Sequence, residues 1–210
     1  MTTLFSLCDA PLRRKLRLLR AVALHLDALH RHDLVHGALS INEILVTDDD
    51  NVVLLNALTR AVQAGLSGPI FLESSLPPET FETQRLELAP AADVWSLGVI
   101  AYQLLTKVHP FVVRDLKPEE RAYRATTAET DWNGLADELF GDEDVENVDD
   151  AGLAAGWRER VRLAVFVPPG QLVALPPAVA RIVPRLLARI PGERPSAKAA
   201  AEAFSADESQ

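Results

Sequence analysis

Reactive side chains in this 210-residue chain gather in a few places. Asp48, Asp49 and Asp50 are successive carboxylates, the residue type that holds a hard cation. Successive side chains in a turn do not converge on one point, so these three read as a solvated turn. His25, His30 and His32 lie close in sequence and carry ring nitrogens that suit a transition metal. They read instead as the end of a helix. Ser40 follows His36 closely, as a nucleophile follows a base, but no motif places a carboxylate to orient the imidazole. Cys8 is the one cysteine, which excludes an internal disulfide and a centre built of several thiolates. Its apolar neighbours make it a small buried hydrophobe. No metal site is expected.

These residues must be positioned by the elements around them. Leu12, Leu16, Leu19, Val22, Ala23, Leu26 and Leu29 recur at helical spacing and predict a long amphipathic helix over residues 11–31. Arg13, Arg14, Arg17 and Arg20 take much of its other face and read as solvated, with a partner-docking patch as the alternative. The period then shortens. Ile44-Leu45-Val46 and Val52-Val53-Leu54-Leu55, either side of an acidic turn, predict a hairpin. Residues 56–80 are irregular and rich in glycine and proline. Helical pattern resumes at Ala91 and runs to about Thr106, with His109-Pro110 ending it. Two last helices are predicted over Pro176–Arg189 and Ser196–Phe204.

Composition narrows the classes. A chain that is 48% hydrophobic is suited to one globular domain with a core, expected over residues 1–204 with a variable insertion at about 112–172. Residues 205–210 read as a disordered polar tail. The formal net charge of −9 argues against nucleic acid and anionic membranes as partners. No secretory signal is seen, and the longest apolar run, Val94 to Leu105, is too short to span a bilayer. A cytoplasmic location is expected. The acidic run at 141–150, with Trp132 and Trp157 either side of it, reads as a partner surface or as an ordered insertion.

Four segments carry meaning through their order. His36-Gly37-Ala38 through Ile44-Leu45-Val46 resembles the catalytic loop of protein kinases, H-R-D-L-x-x-x-N. The earlier His30-Arg31-His32-Asp33 is a decoy, because it precedes the apolar step Leu34-Val35 that leads into the loop. Val52 to Leu58 resembles the strand that enters D-F-G, whose three positions read Asn56, Ala57 and Leu58. Leu76-Pro77-Pro78-Glu79 resembles A-P-E, and Asp93-Val94-Trp95-Ser96-Leu97-Gly98-Val99 the start of the buried helix after it. Glu193-Arg194-Pro195 resembles the turn before the last helix.

The resemblance implies the C-terminal lobe of a serine/threonine protein-kinase fold. That is a mainly α bundle around one buried helix, with a short hairpin and without the N-terminal lobe, whose G-x-G-x-x-G and V-A-I-K motifs do not occur. It implies that Asp93 bonds the backbone of the catalytic loop and that Glu79 pairs with Arg194. It also implies a pseudokinase. Ala38 stands where the family has its catalytic Asp, Gly37 where it has Arg, Ser40 where it has Lys, and Glu43 where it has the metal-holding Asn. Asn56, Ala57 and Leu58 replace D-F-G. The chain is accordingly expected not to be an enzyme, with no cofactor and with ATP and magnesium bound weakly at most. Leu45, placed by the resemblance beneath an adenine, and Glu43 and Asn56 near a cation are the residual nucleotide contacts. The expected role is a scaffold or regulatory subunit. It would bind a protein partner or a second copy of itself through the uncovered top of the lobe near Leu45 and Leu54. The alternative is a nucleotide-sensing or split pseudokinase completed by an N-lobe on another chain. Thr59, Ser67, Ser74 and Ser75 are candidate modification sites in the activation-like segment.

Overall fold

A computed structural model of the chain describes residues 1–37, 39–55, 75–83, 89–111 and 160–205. In chain order its elements are β1 (Thr2–Thr3), α1 (Leu12–His30), β2 (Ile44–Val46), β3 (Val52–Leu54), α2 (Pro78–Thr83), α3 (Pro90–Thr106), α4 (Pro177–Leu186) and α5 (Ala197–Phe204). The described chain is mainly helical, with one small antiparallel sheet in the order β1-β2-β3.

The apolar face of α1 is buried through Leu16, Leu19, Val22, Ala23 and Leu26, and it packs most extensively on α5. Each buried leucine stabilises by about 1.5–3 kcal/mol relative to leaving it in water. At the far end, the Arg31 N–H bonds the Asp27 carbonyl. Asp33 then takes a left-handed conformation at φ 56 and turns the chain into the loop that follows.

Helix α3 is apolar all round and buried almost along its whole length, as a helix enclosed by others must be. Trp95 stacks on Phe111 with ring centroids 5.3 Å apart. Phe166 meets both Phe111 and Tyr102 edge-on. Thus Phe166, with the fully buried Val161, belongs to the core although it falls in the stretch expected to be a variable insertion. At Gly98 a Cβ would lie 2.9 Å from Leu186 Cβ, so glycine lets α4 approach α3 closely. The helix ends before His109-Pro110, because Lys107 adopts φ 65 and closes it. Helix α4 is shorter than predicted, with Pro184 in its last turn, and Ser196 caps α5 by accepting from the Ala199 N–H.

The hairpin pairs Ile44 with Leu54, Leu45 with Val53 and Val46 with Val52. Cross-strand partners share a face. Ile44 and Val46 are fully buried and Leu54 packs against the same core, so the outward face carries Leu45 and Val53. Leu45 and Leu54, the expected surface pair, are both half-buried, and Val53, opposite Leu45, is exposed.

The acidic turn also departs from its reading as wholly solvated. Asp50 sits at φ 60, which directs its carboxylate back at α1. There Arg14 donates from Nε at 3.0 Å and Nη2 at 2.7 Å, and Arg17 donates from Nη2. Two members of the arginine face thereby tie α1 to the hairpin, and the arginines hold the Asp50 carboxyl below the usual carboxylate range. Among the described residues, no helix is long and apolar enough to cross a membrane.

Candidate functional site

The loop at residues 34–37 is built around Asp93, in the first turn of α3. A helix N-terminus favours a negative side chain, but this one is only 1% exposed and needs partners. It has three. The backbone N–H of His36 donates to Oδ2 at 2.8 Å, and that of Gly37 to Oδ1 at 2.8 Å. His30 Nε2, at the end of α1, donates to Oδ2 at 2.9 Å. One carboxylate thus joins α1, the loop and α3. Gly37 has φ 77, a left-handed conformation that glycine takes without the cost other residues meet.

Sequence reasoning had His30 as part of a helix end and of a decoy motif. Its partner lies 63 positions away, and the one hint was its place immediately before the turn into the loop.

His36 is buried, and its Nε2–H donates to the Leu55 carbonyl at 3.0 Å. In the neutral ring this leaves Nδ1 as an acceptor, buried and without a hydrogen bond. Among the described residues no hydrogen bond joins His36 to Ser40, which is itself buried. The two therefore do not form a nucleophile–base pair there. The Cys8 thiol is half-buried and donates to the Gln103 carbonyl at 3.9 Å; burial pushes its pKa up, away from thiolate chemistry.

Glu79, in α2, and Arg194, before α5, meet in a fork. Nη1 donates to Oε1 and Nη2 to Oε2, both at 2.7 Å. Arg194 also donates to the carbonyls of Ala91, Ala188 and Arg189 and lies 5.0 Å from the centre of the Trp95 ring. All five N–H donors of the guanidinium are thereby used.

The remaining motif residues are placed less fully. Glu43 is half-buried; its N–H donates to the Ser40 carbonyl at 3.1 Å and its own carbonyl accepts from the Leu55 N–H at 3.0 Å. Leu45 lies on the outward face of the sheet. Ala38, Asn56, Ala57 and Leu58 lie outside the described residues, as do Thr59, Ser67, Ser74, Trp132, Trp157, the acidic run at 141–150 and the tail at 206–210. Ser75 is buried and its carbonyl accepts from Ser96 Oγ at 3.0 Å, so its hydroxyl is a poor target for modification as folded. No group of three or more His, Cys, Asp or Glu that could hold a metal ion occurs among the described residues.

Beside the loop, a groove of about 860 Å³ runs between the C-terminal half of α1 and β3. Leu29, Leu34, Val35, Val53 and Leu54 make its walls largely apolar, and His36 lines it too.

Comparison with known proteins gives these features a setting. A family model described as protein tyrosine and serine/threonine kinase matches residues 9–128. The chain is similar to a probable serine/threonine-protein kinase KIN1 homolog of Encephalitozoon cuniculi, 32% identical over 117 residues, which is 52% of this chain and 20% of that protein. It is also similar to the hormonally up-regulated neu tumor-associated kinase of Mus musculus, 34% identical over 111 residues, 50% of this chain and 15% of that one. Protein drl-1 of Caenorhabditis elegans is 29% identical over 86 residues, 40% of this chain and 14% of its own. The chain spans a fifth or less of the length of these curated relatives.

Two of the relatives are named as kinases, which overturns the expectation that the chain is not an enzyme. That expectation rested on replaced residue types at motif positions, and four of these, Ala38, Asn56, Ala57 and Leu58, are outside the described geometry.

Proposed function

The chain belongs to the protein tyrosine and serine/threonine kinase family, and from that premise we propose that it is the C-terminal lobe of a kinase fold that binds and regulates a protein partner. Its motif residues are pseudokinase-like: Gly37, Ala38, Ser40 and Glu43 in the loop, and Asn56, Ala57 and Leu58 at D-F-G. Beside them, Asp93 accepts from the N–H groups of His36 and Gly37, and Glu79 pairs with Arg194, which supports reading these three residues as the frame of such a lobe.

One observation carries the protein-binding part. The outward face of the sheet presents Leu45 and Val53 side by side, with Val53 39% exposed and Leu34 beside the groove 55% exposed. Apolar surface left together on the outside marks an interface. A photo-reactive amino acid placed at Val53 is expected to give a protein adduct of discrete mass in cells. One placed at Ile190, which is equally apolar and 57% exposed, is expected to give none. Absence of an adduct at Val53 would remove the reading.

A second reading is favoured by the names of the relatives. Here the chain takes part in phosphate transfer or senses nucleotide together with a kinase N-lobe; Leu45, Glu43 and Asn56 are the contacts to nucleotide and cation. Its test is the melting temperature with ATP and magnesium, where a ligand at 100 times its Kd stabilises by about 2.7 kcal/mol. Phosphate transfer from labelled ATP is measured alongside. No shift at millimolar ATP, with no transfer, discards this reading and leaves the first intact.

A further inference from the structure

We propose that the free edge of β3 is a strand-addition site, where an extended segment of a partner protein joins the sheet beyond β3. The inference rests on the protein-binding reading above and assigns the mode of binding and the chemistry of the occupant.

The hairpin ladder shows which backbone groups are spare. The Thr47 N–H donates to the Asn51 carbonyl at 2.9 Å, and the Leu55 N–H to the Glu43 carbonyl at 3.0 Å. Leu45 stands opposite Val53 between them. Bonded and non-bonded pairs alternate along an antiparallel ladder, so Leu45 and Val53 are bonded to each other. The N–H and C=O groups of Val52 and Leu54 therefore point away from β2. β3 is the last strand of the sheet, and among the described residues these outward groups have no hydrogen-bond partner.

That edge borders the groove. Successive side chains of a strand point to opposite faces, yet Val52, Val53 and Leu54 all line the same space. They do so because the strand meets it along its backbone. A row of unpaired N–H and C=O groups is a template for another strand, and edges not meant to pair are blunted by charge, proline or a bulge. Val52 to Leu55 contains neither a charged residue nor a proline, and the register runs without a bulge.

The edge also selects its occupant. A helix spends its backbone groups internally and would leave Val52 and Leu54 unpaired, whereas an extended segment satisfies them. No Asp, Glu, Lys or Arg lines the groove. Every second side chain of the segment, the set that enters the groove, is therefore apolar or neutral, since a charge there would be desolvated without a partner. Helix α1 packs beside β3, which leaves the edge open to a lone segment and obstructs the sheet of a second copy. The net charge of −9 also opposes self-association.

The test is an amide-resolved NMR titration of the whole chain. The probe is a short synthetic peptide that alternates valine and threonine. Two counterparts are N-methylated at every second residue, one at the odd and one at the even positions, which removes the donors of one peptide edge and keeps all side chains. The parent peptide is expected to bind and to slow hydrogen exchange at the Val52 and Leu54 amides, with little change at Val53, which Leu45 already holds. One methylated peptide should bind at least about tenfold more weakly than the other, because it alone loses its bonds to β3. Leu54→Pro removes an outward donor while sparing the ladder to β2, as an edge proline does, and should weaken the parent peptide severalfold. If that variant does not fold, the methylated pair still decides.

No binding of the parent peptide, equal binding of the methylated pair, or unchanged exchange at Val52 and Leu54 would overturn the proposal. So would self-association of the free chain that Leu54→Pro abolishes, which would give the edge to a second copy. A Val53 adduct in cells together with any of these failures would retain the protein-binding lobe and reject only strand addition.

Discussion

Arg194 grips Glu79 through two parallel hydrogen bonds of 2.7 Å, across 115 positions of sequence. The arginine side chain is wholly buried and the glutamate 13% exposed. A buried pair of this kind adds little net stability over an apolar replacement, but breaking it leaves one charge uncompensated.

Arg194→Ala is therefore expected to lower the unfolding free energy by about 3–5 kcal/mol, since it strands Glu79 and frees three backbone carbonyls. Arg194→Lys keeps the charge and loses the fork, and should recover only part of the loss. Urea denaturation measures both. A loss under about 1 kcal/mol for Arg194→Ala would mean that the pair does not hold α2 to α5.

Asp93→Ala removes the acceptor shared by the N–H groups of His36 and Gly37 and by His30. Each buried donor left unpaired costs about 1–3 kcal/mol. Hydrogen exchange should show the His36 and Gly37 amides losing protection first. Unchanged protection of those two amides would contradict the geometry.

Gly98→Ala sets two effects against each other. Alanine is the better helix former by about 1 kcal/mol. Its Cβ, however, would sit 2.9 Å from both Leu186 Cβ and Leu187 Cδ2, and overpacking a core costs about 1–3 kcal/mol. The clash should win and Gly98→Ala should lower the melting temperature. A higher one would show that α4 can move aside freely.

Gly37→Ala should destabilise by about 1–2 kcal/mol, the cost of a left-handed backbone for a residue with a Cβ, because Gly37 sits at φ 77. Gly37→Asn should cost less, as asparagine tolerates this region better. Equal melting temperatures for the two variants would argue against the conformation.

The Asp50 contacts predict a pH dependence. Its carboxyl is held down in the folded chain, mainly by the hydrogen bond from Arg14 and then by Arg17. The unfolded chain therefore binds its proton at higher pH than the folded chain does. The stabilisation is complete above the unfolded value of about 3.9 and is lost as pH falls through the lower folded value. Asp50→Asn should flatten the acid limb of stability against pH, measured by denaturant midpoints. An unaltered limb would mean that the arginines do not hold this carboxylate in solution.

Much of the fold was legible because periodicity is local. The helical repeat of leucines gave α1 to within a residue or two, and the change of period gave the hairpin. The two-residue β1 was not legible: so short a strand has no period, and its pairing with Val46 and Leu45 is made far along the chain. The end of α3 at Thr106 was legible, but α4 stops at Leu186 and not at Arg189, an end set by packing around Pro184 and not by residue type. That Val53 stands exposed opposite Leu45 was not legible either, because strand register and not composition sets which residues share a face.

By itself the sequence determined which residues are apolar at which period, the family, and the residue types at its motif positions. These are properties of neighbours along the chain and of motif order, and they survive without coordinates. Only the tertiary structure decided which polar groups meet. His30 finds Asp93, and Asp50 finds two arginines of α1, because helix ends and left-handed turns bring together groups that sequence separation hides. The groove beside β3 arises the same way: α1 and β3, separated by the loop and β2 along the chain, pack side by side and leave apolar residues lining the space between them.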